Sequence, residues 1–126
     1  MTYAGVAQFG HDQLAWQAVH AVPDLVALDE SRVARQLSAI ASPVRLRILR
    51  ELAGGPLTTH ELQTRLDEPS AGQLYHHLRE LLATGLLVQP KRSVYEVPDR
   101  AVIPLLALVA CAIDLMTAAT DERGSP

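Results

Sequence analysis

Two segments in the middle of the chain carry the signature of a helix N-terminus and lie close together. Thr58-Thr59-His60-Glu61 and Ser70-Ala71-Gly72-Gln73 each place a hydroxyl residue three positions before Glu or Gln. In such a capping box the hydroxyl and the longer side chain each accept a hydrogen bond from a backbone N–H of the first turn. The sequence therefore predicts a short helix from Thr58 to about Leu66, a tight break at residues 67–69, and a second helix over residues 70–84, closed by Gly85.

The second of these helices has one apolar and one polar face. Its apolar face is a row of leucines at helical spacing: Leu74, Leu78, Leu81 and Leu82. His76 points away from that row, with Gln73 and Arg79 beside it and Tyr75 and His77 on the flanks. Amide, imidazole and guanidinium groups of this kind read base edges and phosphates in the major groove of DNA.

A small hairpin is predicted directly after this helix. Leu86–Val88 and Val94–Val97 have the composition of short strands, and the tip between them carries Lys91 and Arg92. A polar helix face alone is about as often an ordinary solvated face as a nucleic-acid contact. Helix, break, helix and basic hairpin together predict a winged helix-turn-helix, with recognition helix 70–84 and wing 87–97, that binds nucleic acid.

The charge distribution allows one cationic face despite a net charge of −3. Residues 1–30 contain four acidic side chains and no Lys or Arg, whereas residues 31–100 contain ten Lys and Arg against seven Asp and Glu. A local field steers a polyanion better than the net charge does, so the acidic total does not exclude DNA.

Further helices are predicted on both sides of this motif. A weak helix over residues 12–22 with Asp12 as its cap follows a loose leader, residues 1–10. Another begins after Asp29 and reaches residue 41, and a third runs from Val44 to about residue 53. The last, residues 99–120, is apolar nearly all round, so we expect a second subunit to cover it.

The same residues carry a resemblance to a known family. Ile40-Ala-Ser-Pro-Val-Arg-Leu-Arg-Ile-Leu-Arg-Glu-Leu52, the Thr-Thr-His-Glu-Leu segment and Gln73-Leu-Tyr-His-His-Leu-Arg-Glu-Leu-Leu-Ala-Thr-Gly-Leu86 resemble the ArsR/SmtB-type winged-helix regulators over about residues 31–97. The resemblance implies a homodimeric bacterial repressor in the cytoplasm that binds an inverted repeat of double-stranded DNA. It also implies dimerisation through the N- and C-terminal helices.

These arguments predict a mostly α fold with a small β-hairpin wing. We expect residues 1–30 to form an extension with a helix, residues 31–100 the winged helix-turn-helix, and residues 101–126 the C-terminal dimerisation helix and tail. The expected DNA-binding residues are Thr58, Thr59, Ser70, Gln73, Tyr75, His76, His77, Arg79, Lys91 and Arg92. The expected dimer interface contains Val33, Leu37, Leu105, Leu106, Val109, Ala112, Ile113 and Met116.

No metal or other cofactor is expected. Metal-sensing members of the family carry a Cys-x-Cys at the start of the helix before the turn, where this chain has Thr58-Thr59-His60-Glu61-Leu62, or Asp and His ligands on the last helix. The last helix offers only Cys111 and Asp114, and zinc needs about four nitrogen or sulfur ligands. We interpret Cys111 as an inert core residue of an apolar helix, with a redox link across a dimer axis as the alternative.

Several other classes are disfavoured. No nucleophile elbow, phosphate loop or metalloprotease helix is present, so we expect no enzyme. The first twenty residues lack the pattern of a signal peptide. The longest uncharged run, residues 101–113, is shorter than the roughly 20 residues that span a membrane, so no membrane partner is expected.

Two alternatives stay open at this point. The winged helix could be a protein-interaction module that docks a regulatory partner through its apolar last helix. A regulator could also respond to an unidentified small molecule. For Tyr3 and Trp16, packing over the dimer helices is favoured over lining a pocket for such an effector.

Overall fold

The computed structural model describes residues 1–67 and 70–124, and the chain divides into two compact units. The first unit contains residues 20–98 together with Met1. The second contains Thr2–Val19 and the segment that begins at Asp99. Residues 68 and 69 of the predicted break lie outside the described residues.

The elements of the first unit alternate between helices and very short strands. In chain order they are α1 (Val22–Val26), α2 (Glu30–Ile40), α3 (Pro43–Ala53), β3 (Leu57–Thr58), α4 (Thr59–Leu66), α5 (Ala71–Ala83), β4 (Val88–Lys91) and β5 (Val94–Glu96). The second unit contains β1 (Thr2–Phe9), β2 (Asp12–Val19) and α6 (Asp99–Gly124). A mostly helical fold with a small antiparallel wing, as predicted, is therefore confirmed.

The helices of the first unit begin where the sequence places caps. Asp29 Oδ1 accepts hydrogen bonds from the N–H groups of Ser31 and Arg32 at the start of α2. Ser42 Oγ accepts one from Arg45 N at 3.4 Å at the start of α3, and Pro43 occupies the first turn, where its missing N–H costs nothing. Local capping chemistry thus sets both helix starts.

The core of the first unit is built mainly from leucines. Each helix contributes residues three or four apart, which lie on one face because a helix turns every 3.6 residues. The deeply buried side chains are Ile48, Leu49 and Leu52 of α3, Leu62 of α4, Leu74, Leu78 and Leu81 of α5, and Leu87 before β4. This apolar contact orients α4 and α5 and leaves their polar sides exposed.

The wing is a three-stranded antiparallel sheet in the order β3-β5-β4. The sequence predicted two strands and missed β3, which is only two residues long. Strand β4 starts at Val88 rather than Leu86, and the register shifts by one residue between Val88 and Lys91. Pro90 fits there because β4 is an edge strand, where a missing N–H removes no inner hydrogen bond.

The N-terminal segment is a β-hairpin, so the predicted leader and the predicted helix at residues 12–22 are wrong. Strands β1 and β2 pair without interruption from Thr2↔Val19 to Phe9↔Asp12, and Gly10 at the turn has a φ of 60°. Leu14, Trp16 and Ala18 alternate with exposed residues and are half-buried on one face. Leu14 and Ala18 also satisfy helical spacing, which misled the periodicity argument.

Helix α6 and the hairpin form the second unit together. In α6, Val102, Ile103 and Leu105 are buried, whereas the side chains from Val109 to Thr120 are exposed. The hairpin contacts the start of the helix, where Gly5 meets Ile103. The N-terminal extension therefore packs as a hairpin rather than as a dimerisation helix.

Helix α6 is longer than the uncharged run of residues 101–113 suggested. An 18-residue window within Asp99–Thr120 has a mean hydropathy of 2.2, and by length and composition the helix is able to cross a membrane. The uncharged run of residues 101–113 is shorter than α6 because the helix continues past Asp114. Core and dimerisation helices of other proteins share this composition, so this measure alone assigns no membrane span.

Candidate nucleic-acid interface

Helices α4 and α5 meet as a helix-turn-helix whose first helix has a complete capping box. Thr58 Oγ1 accepts a hydrogen bond from Glu61 N at 3.1 Å, and Glu61 Oε1 accepts one from Thr58 N at 3.0 Å. The hydrogen bonds that the carboxylate accepts from Thr58, first of all the one from Thr58 N, stabilise its charged form, so the pKa of Glu61 lies below its ordinary value. Asp67 ends α4 in the left-handed conformation, with a φ of 52°.

Helix α5 begins at the second predicted cap. Ser70 Oγ accepts a hydrogen bond from Gln73 N at 3.2 Å. Ala71, Gly72 and Gln73 are exposed in the first turn. Among the described residues, the nearest atom that a Cβ on Gly72 would meet is Ser70 Oγ, at 3.8 Å, so no described side chain crowds the first turn of the helix.

The polar face of α5 is the one that the sequence predicts. Tyr75 is 44% exposed, and His76 and Arg79 are exposed beside it. Tyr75 also neighbours Tyr95 of β5, whose pKa is raised by burial and, secondarily, by Tyr75.

His77 lies elsewhere than expected. It is half-buried, and its Nδ1 accepts a hydrogen bond from Arg45 Nε of α3 at 3.0 Å. The sequence predicts His77 on a flank of the polar face, among the DNA-binding residues. Sequence reasoning did not identify Arg45, because the partner lies 32 residues away and no local pattern marks the pair.

Thr58 and Thr59 have structural roles that the sequence did not separate from DNA contact. The Thr58 hydroxyl is used in the capping box. Thr59 is 8% exposed, and its Oγ1 donates to Ser93 O at 3.5 Å while its N–H donates to the same oxygen at 3.0 Å. These bonds join the start of α4 to the turn of the wing.

The two basic residues of the wing surround that turn. Lys91 and Arg92 are exposed, and Ser93 adopts a φ of 62° so that the chain reverses within two residues. Because Ser93 O is bonded to Thr59, the tip has a defined position relative to α4. The helix-turn-helix and the wing thus present polar and cationic groups from one unit.

The residues expected at a dimer interface fall into two groups. Most are exposed in the single chain: Val33, Leu37, Val109, Ala112, Ile113 and Met116. Leu106 is half-buried, and Leu105 is 5% exposed, so Leu105 belongs to the core of the chain. Cys111 is exposed rather than buried.

The distribution of His, Cys, Asp and Glu side chains bears on metal binding. Within residues 1–67 and 70–120, whose side chains the structure describes, no three His, Cys, Asp or Glu side chains lie close enough to hold a metal ion together. The adjacent rings of His76 and His77 have centroids 5.7 Å apart and are tilted by 55°.

Comparisons with known proteins agree with this geometry. A family model described as a helix-turn-helix domain matches residues 40–90. No curated protein matches the sequence significantly. Among solved structures, reduced HlyU from Vibrio cholerae N16961 is 30% identical with a TM-score of 0.53, and the alignment covers 70% of this chain and 98% of that one.

Two further structures have the same fold. Mb0332 from Mycobacterium bovis (fragment 1–100) is described as a homodimeric winged helix-turn-helix DNA-binding domain and a possible ArsR-family transcriptional regulator. It is 28% identical, with a TM-score of 0.56 over 77% of this chain and 90% of that one. NolR from Sinorhizobium fredii, 24% identical with a TM-score of 0.56 over 75% and 94%, is similar in fold.

The descriptions that state a role name regulators and DNA-binding domains, not enzymes. The relationship to HlyU extends over nearly the whole of that protein, and the family match spans α3, β3, α4, α5 and most of β4. The chain therefore belongs to the winged helix-turn-helix family of transcriptional regulators.

Proposed function

We propose that this chain is an ArsR-type, sequence-specific transcriptional repressor that binds DNA as a homodimer in the bacterial cytoplasm. The observation that carries the proposal is the exposed face of α5 beside a basic wing tip that is bonded to α4 through Ser93. The side chains of these two surfaces suit α5 to base readout and the wing tip to phosphate contact.

The face of α5 has the groups for base readout. Arg79 is able to donate two parallel hydrogen bonds to guanine, and Gln73 is able to pair with adenine. His76 lies between them on the exposed side. The open first turn of α5 lets the helix approach the floor of the major groove.

The wing contributes affinity rather than sequence preference. Lys91 and Arg92 are exposed at the tip, and each cation that neutralises a phosphate releases counterions. Thr59, being buried, is assigned to positioning the wing instead of contacting DNA. Ser70 and Tyr75 remain candidates for contacts at the edge of the groove, whereas His77, half-buried and bonded to Arg45, is assigned to holding α5 in place.

A second copy is proposed to cover the exposed part of α6. Val102, Leu105, Val109, Ile113 and Met116 follow one another at helical spacing and form one stripe. The stripe is buried at its start and exposed at its end, where Met116 is 69% exposed. A two-fold dimer would bury the exposed end and place two recognition helices about one DNA turn apart, as an inverted repeat requires. Repression would follow from excluding RNA polymerase.

Capture of genomic fragments by the purified tagged protein at about physiological salt, followed by sequencing, tests this function. Enrichment of a few inverted repeats is the expected result, and a flat profile from a protein that is dimeric would contradict it. On a captured repeat, replacing Lys91 and Arg92 together by alanine should lower the salt slope of log K by about one for each lost contact.

A second function is favoured by one observation. The exposed apolar end of α6, with Ile113 55% and Leu115 72% exposed, also suits docking to a regulatory protein instead of a second copy. Salt distinguishes the two, because specific DNA binding weakens steeply as salt rises and an apolar interface does not.

A further inference from the structure

Arg45 joins three helices of the first unit through one side chain. It lies in the first turn of α3, and its Nε donates to His77 Nδ1 of α5 at 3.0 Å. Its Nη1 donates to Ala39 O of α2 at 3.4 Å. The two bonds therefore link the end of α2 to the middle of the recognition helix.

The carbonyl of Ala39 needs such a donor. It belongs to the last turn of α2, whose carbonyls have no partner within the helix, and the residue four positions later is Pro43, which has no N–H. A cation at a helix C-terminus is also favoured by the helix dipole. Arg45 thus donates to a backbone carbonyl that has no N–H partner in its own helix.

The bond at the other end defines the chemical state of His77. A guanidinium is always protonated and only donates hydrogen bonds. Nδ1 of His77 must therefore carry a lone pair, which leaves its proton on Nε2. Arg45 selects the neutral imidazole with the Nε2–H tautomer.

The bond also restrains α5 in a way that its core packing does not. Leu74, Leu78 and Leu81 are buried, but apolar contact has no preferred direction and tolerates small shifts of a helix. A hydrogen bond weakens steeply with distance and angle. His77 lies next to His76 and two residues before Arg79. Holding the His77 ring in place therefore holds the polar face of α5 in place.

We propose that Arg45 is a positioning residue for DNA recognition, which holds α5 against α2 and α3 through the Nε2–H tautomer of His77. The inference rests on the proposed function, because its consequence is measured as DNA affinity. Arg45 acts through His77 and not by contacting a phosphate.

Binding of a captured inverted-repeat fragment tests this with five variants. Arg45→Met and His77→Phe should each weaken binding about tenfold, and the double variant should be no weaker than the weaker of the two. His77→Asn should bind nearly as wild type, because its Oδ1 lies near the position of Nδ1. Arg50→Met is the matched control, since Arg50 is exposed on the same helix and has no side-chain hydrogen bond within the described residues.

The salt dependence separates positioning from direct contact. The slope of log K against log salt should be unchanged in Arg45→Met, whereas a decrease of about one would mean that Arg45 itself contacts a phosphate and would overturn the proposal. Unchanged affinity in Arg45→Met, or losses that add in the double variant, would overturn it as well. Should Arg45→Met fail to fold, His77→Phe compared with His77→Asn tests the same link with Arg45 intact.

Nitrogen-15 spectra of the histidine rings test the link without DNA. The His77 ring should show the Nε2–H tautomer near neutral pH and lose this preference in Arg45→Met. An Nδ1–H or charged ring in the wild type would refute the inference. If the wild type binds neither captured fragments nor mixed-sequence duplex, the proposed function fails, while the ring spectra still report whether Arg45 controls His77.

Discussion

Gly5 of β1 and Ile103 of α6 approach so closely that no side chain fits between them. A Cβ atom on Gly5 would lie 2.6 Å from Cγ2 of Ile103, which is well inside the contact distance of two carbon atoms. The missing side chain at Gly5 therefore lets the N-terminal hairpin lie directly on the start of the C-terminal helix.

Gly5→Ala should destabilise the second unit by about 1–3 kcal/mol, the usual cost of forcing an extra carbon into a packed site. The measurement is urea unfolding followed by Trp16 fluorescence, since this tryptophan lies on the inner face of the hairpin. Gly54→Ala is the control, because Gly54 has a φ of −82° and a Cβ there meets no atom within 4 Å. Equal stability of Gly5→Ala and wild type would contradict the close packing.

Replacing His76 and Arg79 by alanine should weaken binding to a captured operator without changing the oligomeric state. Each lost contact to a base should cost about 1–3 kcal/mol and relax the sequence preference at one position. Gel-shift titrations against sites with single base changes would measure both effects. Arg100→Ala removes the same charge from an exposed position in α6 and should bind normally. Full affinity in the double variant would remove α5 from the role of recognition helix.

Ile113→Asp combined with Met116→Asp should convert the dimer to monomers. Both side chains lie on the exposed end of the α6 stripe, and a carboxylate there would be buried without a partner in the dimer. Light scattering with size-exclusion chromatography measures the mass. Ala118→Asp, on the opposite side of the helix, should stay dimeric. A dimer in the first variant would place the interface elsewhere.

The capping box should make stability depend on acid pH through Glu61. Its pKa is lowered in the folded state because the carboxylate accepts hydrogen bonds from Thr58, so its contribution is complete above the ordinary value of 4.5 and is lost as the pH falls through the lower folded value. Denaturant unfolding of Glu61→Gln should show a shallower loss of stability over that range. The same acid slope in both proteins would contradict this role of the carboxylate.

The winged helix-turn-helix was predictable because its signals are local. Thr58 and Glu61 are three residues apart, and their reciprocal bonds form as the sequence indicates. Ser70 caps α5 as predicted, and the leucine spacing correctly orients that helix. Caps and periodicity depend on neighbours within two turns, so one sequence is enough to find them.

The contacts that His77 and Thr59 make were less predictable from the sequence. Helical periodicity places His77 on a flank but gives no information about Arg45, 32 residues earlier. Thr59 looks like an exposed first-turn residue, yet the wing turn at Ser93 covers it. Both outcomes depend on which elements meet after folding.

By itself, the sequence determined the two capped helices, the apolar row of α5 and the basic tip of the wing, because each rests on contacts between near neighbours. The tertiary structure decided that Leu14 and Ala18 belong to a strand, since the inner face of the hairpin is covered by a helix that begins at Asp99. It also decided that the ring of His77 lies against Arg45 of α3. Contacts between residues far apart in the chain, such as Arg45 and His77 at a separation of 32 residues, depend on packing, which short-range patterns do not encode.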